Sequence, residues 1–195
     1  ENNNFMDGFS VNEEYGTFGA NFIPNNTVRI TAIGDYHFTL SDNYRITSSS
    51  SVDIGWMSNS NIDDFFYFFG GGGPGMKGYS YYDERLTGPR KLILSNVIRF
   101  PIFLEKNYNI GHINFQNLSF GMFNQIGNTS RPINLINILV ERNDEREYIL
   151  SQGLEFRLSG FSFFAYPTAI NYEYHIPKYQ GNETGKHYLN ILFDF

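Results

Sequence analysis

The sequence predicts an all-β, antiparallel protein, and two properties of its 195 residues support this fold class. Apolar and polar residues alternate with a period of two over most of the chain, as expected when successive side chains of a strand point to opposite faces. No segment of useful length has apolar residues at the i, i+3, i+4, i+7 spacing of an amphipathic helix, so we expect little helix. The length suits one ordinary domain or a piece of a larger one.

The alternation is cleanest in three strands near the C-terminus. These strands cover residues 149–159, 168–177 and 187–195. Large apolar or aromatic side chains share one face of them: Phe156, Leu158, Tyr172, Tyr174, Leu189, Ile191 and Phe193. The opposite faces carry polar and charged residues, including Glu155, Glu173 and His175. One face of each strand is therefore expected to meet an apolar environment and the other a polar one.

Five further strands are predicted upstream, which brings the total to about eight. They cover residues 15–23, 28–40, 44–58, 90–102 and 110–126. The first three are separated by residues 24–27 and 41–43, which contain Pro, Asn, Asp and Ser and therefore favour turns. In the fourth strand a single polar residue, Asn96, interrupts the apolar face.

Long and short connections alternate along the chain. The long, polar connections cover residues 59–89, 128–147 and 178–186. The short ones cover residues 41–43, 103–109 and 160–167. Bacterial membrane barrels alternate in the same way between longer extracellular loops and shorter periplasmic turns. We therefore expect the long connections to lie outside the cell.

Two β architectures agree with this pattern, a soluble β-sandwich and a transmembrane β-barrel. A helical membrane protein is excluded, because no run approaches the length of about 18 apolar residues that a spanning helix needs. The chain has 20 Phe and 14 Tyr but only 17% charged residues. Aromatic residues recur on the presumed outer faces and charges are confined to the opposite faces, as in the aromatic girdles of membrane barrels. We therefore favour the antiparallel transmembrane β-barrel.

The composition excludes several classes of function. The formal charge is −6 and no run of Lys or Arg occurs, so no nucleic-acid partner is expected. The absence of Cys excludes disulfides and thiolate metal sites. The four histidines, His37, His112, His175 and His187, lack the spacing of metal ligands, and no nucleophile-elbow motif is present. We therefore expect no metal, no cofactor and no enzyme activity.

The most unusual segment is an aromatic run at residues 65–69, followed by the glycine-rich residues 70–78. Residues 73–78 formally match the G-x-G-x-x-G pattern of dinucleotide-binding proteins. The match is spurious, because Pro74 removes a backbone donor and neither a βαβ unit nor an amphipathic helix surrounds it. We interpret the glycines as a loop whose backbone packs tightly or enters a confined space.

Several motifs follow one another from residue 65 to the C-terminus. They are Met76, Lys77, Gly78 and Tyr79; Arg99, Phe100 and Pro101; residues 123–127 (FNQIG); residues 151–157 (SQGLEFR); and Phe193 and Phe195 at the end of the chain. In this order they resemble the C-terminal barrel of the bacterial surface antigen superfamily, which includes outer-membrane assembly factors and two-partner secretion translocators. The resemblance implies that Met76 to Tyr79 form the V/L-R-G-F/Y motif of a loop inside the barrel lumen. It also implies that Phe193 and Phe195 belong to the C-terminal assembly signal.

Two departures from the family pattern concern the anchoring of this loop. The family holds the loop Arg with an acidic residue on the barrel wall, but this chain has Lys77 and Gln125 at these positions. Val97 also stands where a Glu is usual. A bidentate Arg–carboxylate clamp therefore cannot form there, because Lys is a point charge and Gln is neutral. We expect Lys77 to contact Gln125 or Glu155, with Glu155 as the substitute anchor.

The resemblance implies a barrel of about sixteen strands, of which residues 1–195 would form the C-terminal half. The long connection at residues 59–89 would enter the lumen, and an eight-stranded barrel is too narrow to enclose it. An isolated half would leave two unpaired edges, which lipid does not tolerate. The N-terminus lacks an initiator Met and a signal sequence, so a targeting signal is expected to have been removed, or the sequence to be a fragment.

The resemblance also implies a function in the outer membrane of a Gram-negative-type bacterium. That function is the insertion or translocation of polypeptides, with outer-membrane lipid, polypeptide clients and other outer-membrane complex subunits as partners. The alternative is a surface-exposed binding or scaffolding barrel, an accessory subunit that keeps the fold without the mechanism. The altered loop anchor favours this alternative.

Overall fold

The computed structural model describes residues 5–18, 25–59, 64–129, 148–163, 166–178 and 184–193, with the backbone alone for residues 5–18, 25, 26, 64 and 193. The strands are β1 (Phe5–Phe18), β2 (Asn25–Ser41), β3 (Ile46–Met57), β4 (Phe68–Phe69), β5 (Thr87–Gly88), β6 (Arg90–Phe103), β7 (Tyr108–Ile110), β8 (Ile113–Asn128), β9 (Ile149–Ser162), β10 (Tyr166–Lys178) and β11 (Lys186–Phe193). Two short 3₁₀ helices, Asp64–Phe66 and Glu84–Leu86, are the only helices in these ranges. No helix there is long and apolar enough to cross a membrane.

Eight long strands form one antiparallel sheet in the order β1-β2-β3-β6-β8-β9-β10-β11. The short β7 pairs with the beginning of β8, and β4 pairs with β5 in a separate two-stranded sheet. The predicted all-β, antiparallel architecture is confirmed. The barrel is not closed, because β1 and β11 do not pair with each other in the part of the chain that the structure describes.

Seven of the eight predicted strands agree with the observed ones to within three residues at either end. The first, predicted at residues 15–23, runs instead from Phe5 to Phe18, and residues 19–24 lie outside the described part. The turn predicted at residues 24–27 is wrong from Asn25 onward. These residues extend β2, because Asn25 pairs with Phe18 and the ladder to β1 continues from there.

The two faces of the sheet differ in polarity. We call the face that packs against the described residues of the connection after β3 (58, 59 and 64–89) the inner face, and the opposite one the outer face. Several polar side chains are buried on the inner face: Gln125, Ser151, Glu155, Asn171, Glu173 and His175. Large apolar side chains are exposed on the outer face: Val52, Ile54, Leu94, Met122, Leu150, Leu154, Phe156, Tyr172, Ile176, Leu189 and Ile191. Of the other residues expected on the apolar face, Leu158 and Tyr174 are half-buried, and the side chain of Phe193 is outside the described part.

A row of polar residues crosses the outer face. Asn96 on β6 is the register partner of Ser50 on β3 and of Asn124 on β8, and Asn124 is the partner of Gln152 on β9. Asn96 Nδ2 donates to the hydroxyls of Ser48 and Ser50, each at 2.9 Å. Gln152 Nε2 donates to Asn124 Oδ1 at 3.2 Å. The interruption at Asn96 is therefore one member of a polar row that spans four strands.

The buried apolar core lies between the inner face and the connection at residues 58–89. One cluster consists of Met76, Tyr79, Leu86, Ile93 and Ile149. A second consists of Met57, Tyr67 and Phe68. Because the connection supplies most of these side chains, it is packed onto the sheet by apolar burial as well as by polar contacts.

Candidate functional site

The candidate site is the glycine-rich segment (residues 70–80) and the inner-face side chains that hold it. The amide of Met76 donates to the carbonyl of Gly70 at 2.7 Å, which folds the segment back on itself. A Cβ at Gly71 would lie 2.0 Å from the carbonyl oxygen of Ser80, and one at Gly75 would lie 2.2 Å from that of Gly70. The backbone can approach itself this closely only because these residues lack side chains.

Hydrogen bonds from β8 and β9 hold the backbone of the segment. The amide of Lys77 donates to Gln125 Oε1 at 2.8 Å, and Gln125 Nε2 donates to the carbonyl of Gly75 at 3.1 Å. The hydroxyl of Ser151 donates to the carbonyl of Lys77 at 2.5 Å. Gln125 therefore satisfies a donor and an acceptor of the segment at once, which a carboxylate in its place could not do.

Gly78 and Tyr79, the next two residues of the segment, bind strands β11 and β9. The amide of Gly78 donates to the hydroxyl of Tyr188 on β11 at 2.9 Å. The hydroxyl of Tyr79 donates to the carbonyl of Leu150 on β9 at 2.7 Å. The side chain of Met76 fits over Gly127, where a Cβ would lie 2.4 Å from its sulfur. The segment is thus fixed to β8, β9 and β11 within four consecutive residues.

The ammonium of Lys77 forms a salt bridge and hydrogen bond with the carboxylate of Glu173 on β10. Asn171 Nδ2 donates to the other carboxylate oxygen at 2.7 Å, and His175 Nε2 lies 2.8 Å from the oxygen that Lys77 contacts. A carboxylate accepts hydrogen bonds only, so His175 donates through Nε2. The ammonium also lies 5.1 Å from the ring centroid of Phe123. Three donors therefore satisfy a carboxylate side chain that is 3% exposed.

Glu155, the expected substitute anchor, does not contact Lys77. Its carboxylate accepts from Arg99 Nε at 2.7 Å and from the second guanidinium nitrogen at 3.2 Å. The pair spans β8 at Gly121, where a Cβ would lie 3.1 Å from the Cβ of Glu155. The chain thus has a bidentate Arg–carboxylate pair, but it joins strands β6 and β9 of the sheet rather than the segment to the sheet. Because the carboxylate of Glu155 already pairs with Arg99, the ammonium of Lys77 pairs with Glu173 instead.

The connection is fastened to the sheet at its other end too. The ring of Phe68 packs against Gly55, and the guanidinium carbon of Arg29 lies 4.5 Å from the centroid of this ring. Lys91 Nζ lies 5.8 Å from the same ring and 2.6 Å from Asp53 Oδ2. The connection therefore crosses the inner face from β2 and β3 to β11.

A short turn closes the connection before β6. Asp83 caps the 3₁₀ helix Glu84–Leu86 by accepting from the amide of Arg85 at 3.1 Å. The side chain of Arg85 also binds the Asp83 carboxylate, at 2.8 and 2.6 Å. This hydrogen-bonded guanidinium holds the pKa of Asp83 below its usual value.

A cleft of about 260 Å³ separates the tip of the segment from the inner face of β2, β3 and β6. Its lining includes Asp35, His37, Ser49 and Asp53. His37 Nδ1 lies 2.6 Å from the hydroxyl of Ser49, which also accepts from Arg99 at 3.0 Å. No group of three or more His, Cys, Asp or Glu side chains in the described ranges is arranged to hold a metal ion.

The expected C-terminal signal is described only in part. Phe193 is the last residue of β11 and pairs with Thr168, but its side chain and Phe195 lie outside the described part. The chain matches no protein-family model, no curated protein and no solved structure. Functional argument therefore depends on the geometry of the segment, the two faces and the sheet edges.

Proposed function

We propose that this chain is part of a β-barrel in the outer membrane of a Gram-negative-type bacterium. The observation that carries the proposal is the distribution of polarity across the sheet. Ile191 and Leu189 on the outer face are 55% and 66% exposed, whereas Glu155 and Glu173 on the inner face are each 2% exposed. A contiguous exposed apolar face is unfavourable in water and favourable against lipid.

The open edges support the proposal that more strands complete the barrel. Within the described ranges, β1 and β11 each have a single neighbouring strand. An unpaired edge in lipid leaves backbone donors and acceptors unsatisfied. Eight strands enclose a space that their own side chains fill, whereas this sheet carries the connection at residues 58–89 on its inner face. We therefore propose a closed barrel of about sixteen strands, to which this chain contributes eight.

In this proposal the barrel inserts or translocates polypeptides, without a cofactor and without covalent chemistry. The terminal strand β11 forms one side of a seam at which an incoming strand adds its backbone hydrogen bonds. Strand β11 has eight residues and its neighbour β10 has 13, so part of β10 has no partner in β11. We therefore propose that β11 is weakly bound at the edge of the sheet. The partners are outer-membrane lipid, polypeptide clients and other subunits of an outer-membrane complex.

A second candidate function is a non-catalytic binding or scaffolding barrel, an accessory subunit of an outer-membrane complex. It is favoured by the way in which the glycine-rich segment is held. Lys77 is held at three points. Its amide binds Gln125, its carbonyl binds Ser151 and its ammonium binds Glu173. A segment fixed at so many points suits a rigid surface better than a moving part.

Depletion of the protein in its own cell distinguishes the two functions. If it inserts or translocates polypeptides, the abundance of client outer-membrane or secreted proteins falls, and expression of the unaltered chain restores it. A variant that carries Asn190→Pro, which removes a backbone donor from β11, should restore less than an otherwise equal Asn190→Ser variant. If client abundance stays normal on depletion, the insertion and translocation function is wrong and the binding barrel replaces it.

A further inference from the structure

A groove lined by aromatic rings lies at the end of the sheet that bears the long connections. Its volume is about 580 Å³, within the range of small-molecule sites. Its lining includes the rings of Phe65, Tyr67, Phe69 and Tyr82, together with Glu84 and Thr87. Thr87 is two residues before Pro89 and three before the start of β6.

The aromatic walls remain accessible although they are packed against one another. Phe65 is 75% exposed and Tyr82 is 74% exposed. The ring of Phe69 stacks on Tyr81 at 5.4 Å and meets Tyr82 edge to face at 5.2 Å. Aromatic rings held in this way keep a fixed position at the surface, so a ligand would not have to order them.

The charge of the groove is negative. Glu84 is the only charged residue in its lining, and it forms no ion pair within the described part of the chain. The neighbouring cation, Arg85, is directed to Asp83 and lies over the ring of Tyr79, 5.4 Å from the centroid. The groove therefore presents a carboxylate and aromatic rings without a competing positive charge.

We propose that this groove binds an organic cation, an alkylated or primary ammonium group, at the surface of the protein. Aromatic faces attract cations through the ring quadrupole, and rings around a quaternary ammonium are a recurrent recognition site. Glu84 adds a direct electrostatic attraction at the rim. The proposal does not depend on the function of the barrel, because the lining of the groove, within the described residues, includes neither Lys77 nor Glu173.

Binding is tested with pairs of probes that share a shape and differ in charge. Choline is compared with its neutral isostere 3,3-dimethylbutan-1-ol, and Nα-acetyl-lysine methylamide with its Nε-acetylated form. The full chain is purified in maltoside micelles, which carry no ammonium group, and affinities are measured by calorimetry and ligand-observed NMR. We expect each cation to bind about fivefold or more tightly than its neutral counterpart. The tighter of the two cations identifies a quaternary head group or a lysine side chain as the source.

Variants locate the site without disturbing the sheet. Glu84→Gln should weaken choline binding about fivefold, and Tyr82→Ala should weaken it as well. Asp42→Asn, which removes an equally exposed carboxylate from the turn at residues 42–45, should leave binding unchanged. Equal affinity for choline and its neutral isostere, or no saturable choline binding, would overturn the proposal.

Discussion

Glu155 on β9 and Glu173 on β10 are direct register partners, and both side chains are buried. Like charges directly opposite each other on neighbouring strands destabilise a sheet. The structure compensates for this by giving each carboxylate its own cation, Arg99 for Glu155 and Lys77 for Glu173. One cation comes from the sheet and the other from the glycine-rich segment. Packing of the segment onto the inner face therefore also neutralises the charge of Glu173.

The first prediction concerns the cation within the sheet. Arg99→Gln should lower the free energy of unfolding by about 3–5 kcal/mol, because it leaves Glu155 buried and unpaired beside Glu173. Urea-induced unfolding from lipid vesicles measures this change. Arg45→Gln is the matched control, because its partner Glu105 is 75% exposed and surface pairs contribute little. Equal midpoints for the two variants would contradict the charge compensation.

The second prediction concerns the cation of the segment. Lys77→Met should free residues 75–80 from the inner face, because it removes the ammonium that pairs with the buried carboxylate of Glu173. We expect faster amide hydrogen exchange at Met76, Lys77 and Gly78 than in the unaltered chain. Lys106→Met, an exposed lysine in the connection before β7, should leave exchange unchanged. Unaltered exchange in Lys77→Met would mean that the other contacts of the segment hold it without the salt bridge to Glu173.

Period-two alternation predicted the strands and assigned residues to faces. It placed Glu155 and Glu173 on the polar face, as the structure has them. The alternation could not predict the register of the strands, because it does not state which residue of one strand lies opposite which residue of the next. The pairing of Arg99 with Glu155 across Gly121, and hence the true partner of Lys77, follows from register alone.

The polar row on the outer face also depends on register and therefore could not be predicted from the strand pattern. Asn96 had to be treated as an isolated exception in its strand, because its partners lie 46 residues upstream at Ser50 and 28 residues downstream at Asn124. The position of the first strand was wrong for a related reason. Its boundaries depend on the ladder between β1 and β2, whereas the turn-forming Asn25 and Asn26 favoured a break at that place.

The third prediction tests the tight folding of the glycine-rich segment. Gly75→Ala should lower the free energy of unfolding by about 1–3 kcal/mol, because its Cβ would collide with the backbone carbonyl of Gly70. Gly73→Ala is the control two residues away, where a Cβ would meet no atom within 4 Å. We expect this control to be neutral or slightly stabilising, since it restricts only the unfolded chain. Comparable losses in both variants would argue against the compact fold of the segment.

The fourth prediction is a pH dependence of the turn before β6. The pKa of Asp83 is lowered in the folded state by its hydrogen bonds to Arg85. Its contribution is therefore fully present above the unfolded pKa of about 4 and is lost as the pH falls through the folded value. The protection factors of the Arg85 and Leu86 amides, which compare the observed exchange rates with the intrinsic rates at the same pH, should fall as the pH is lowered below about 4. In Asp83→Asn, the protection factors of these amides should already be low at neutral pH and should change little on acidification.

The last prediction tests whether the outer face meets lipid. Ile191 and Asn190 are neighbours on β11, both are exposed, and their side chains leave the strand on opposite faces. If the outer face lies against hydrocarbon, Ile191→Arg should make folding into vesicles less favourable by about 2–4 kcal/mol, since a guanidinium near mid-membrane must be dehydrated. Asn190→Arg introduces the same charge on the polar face and should change it much less. Because the two variants carry the same added charge and are one residue apart, a difference between them reports the environment of each face. Equal tolerance in a vesicle-folding assay would show that the exposed apolar side chains do not face lipid, and the membrane barrel would have to be abandoned.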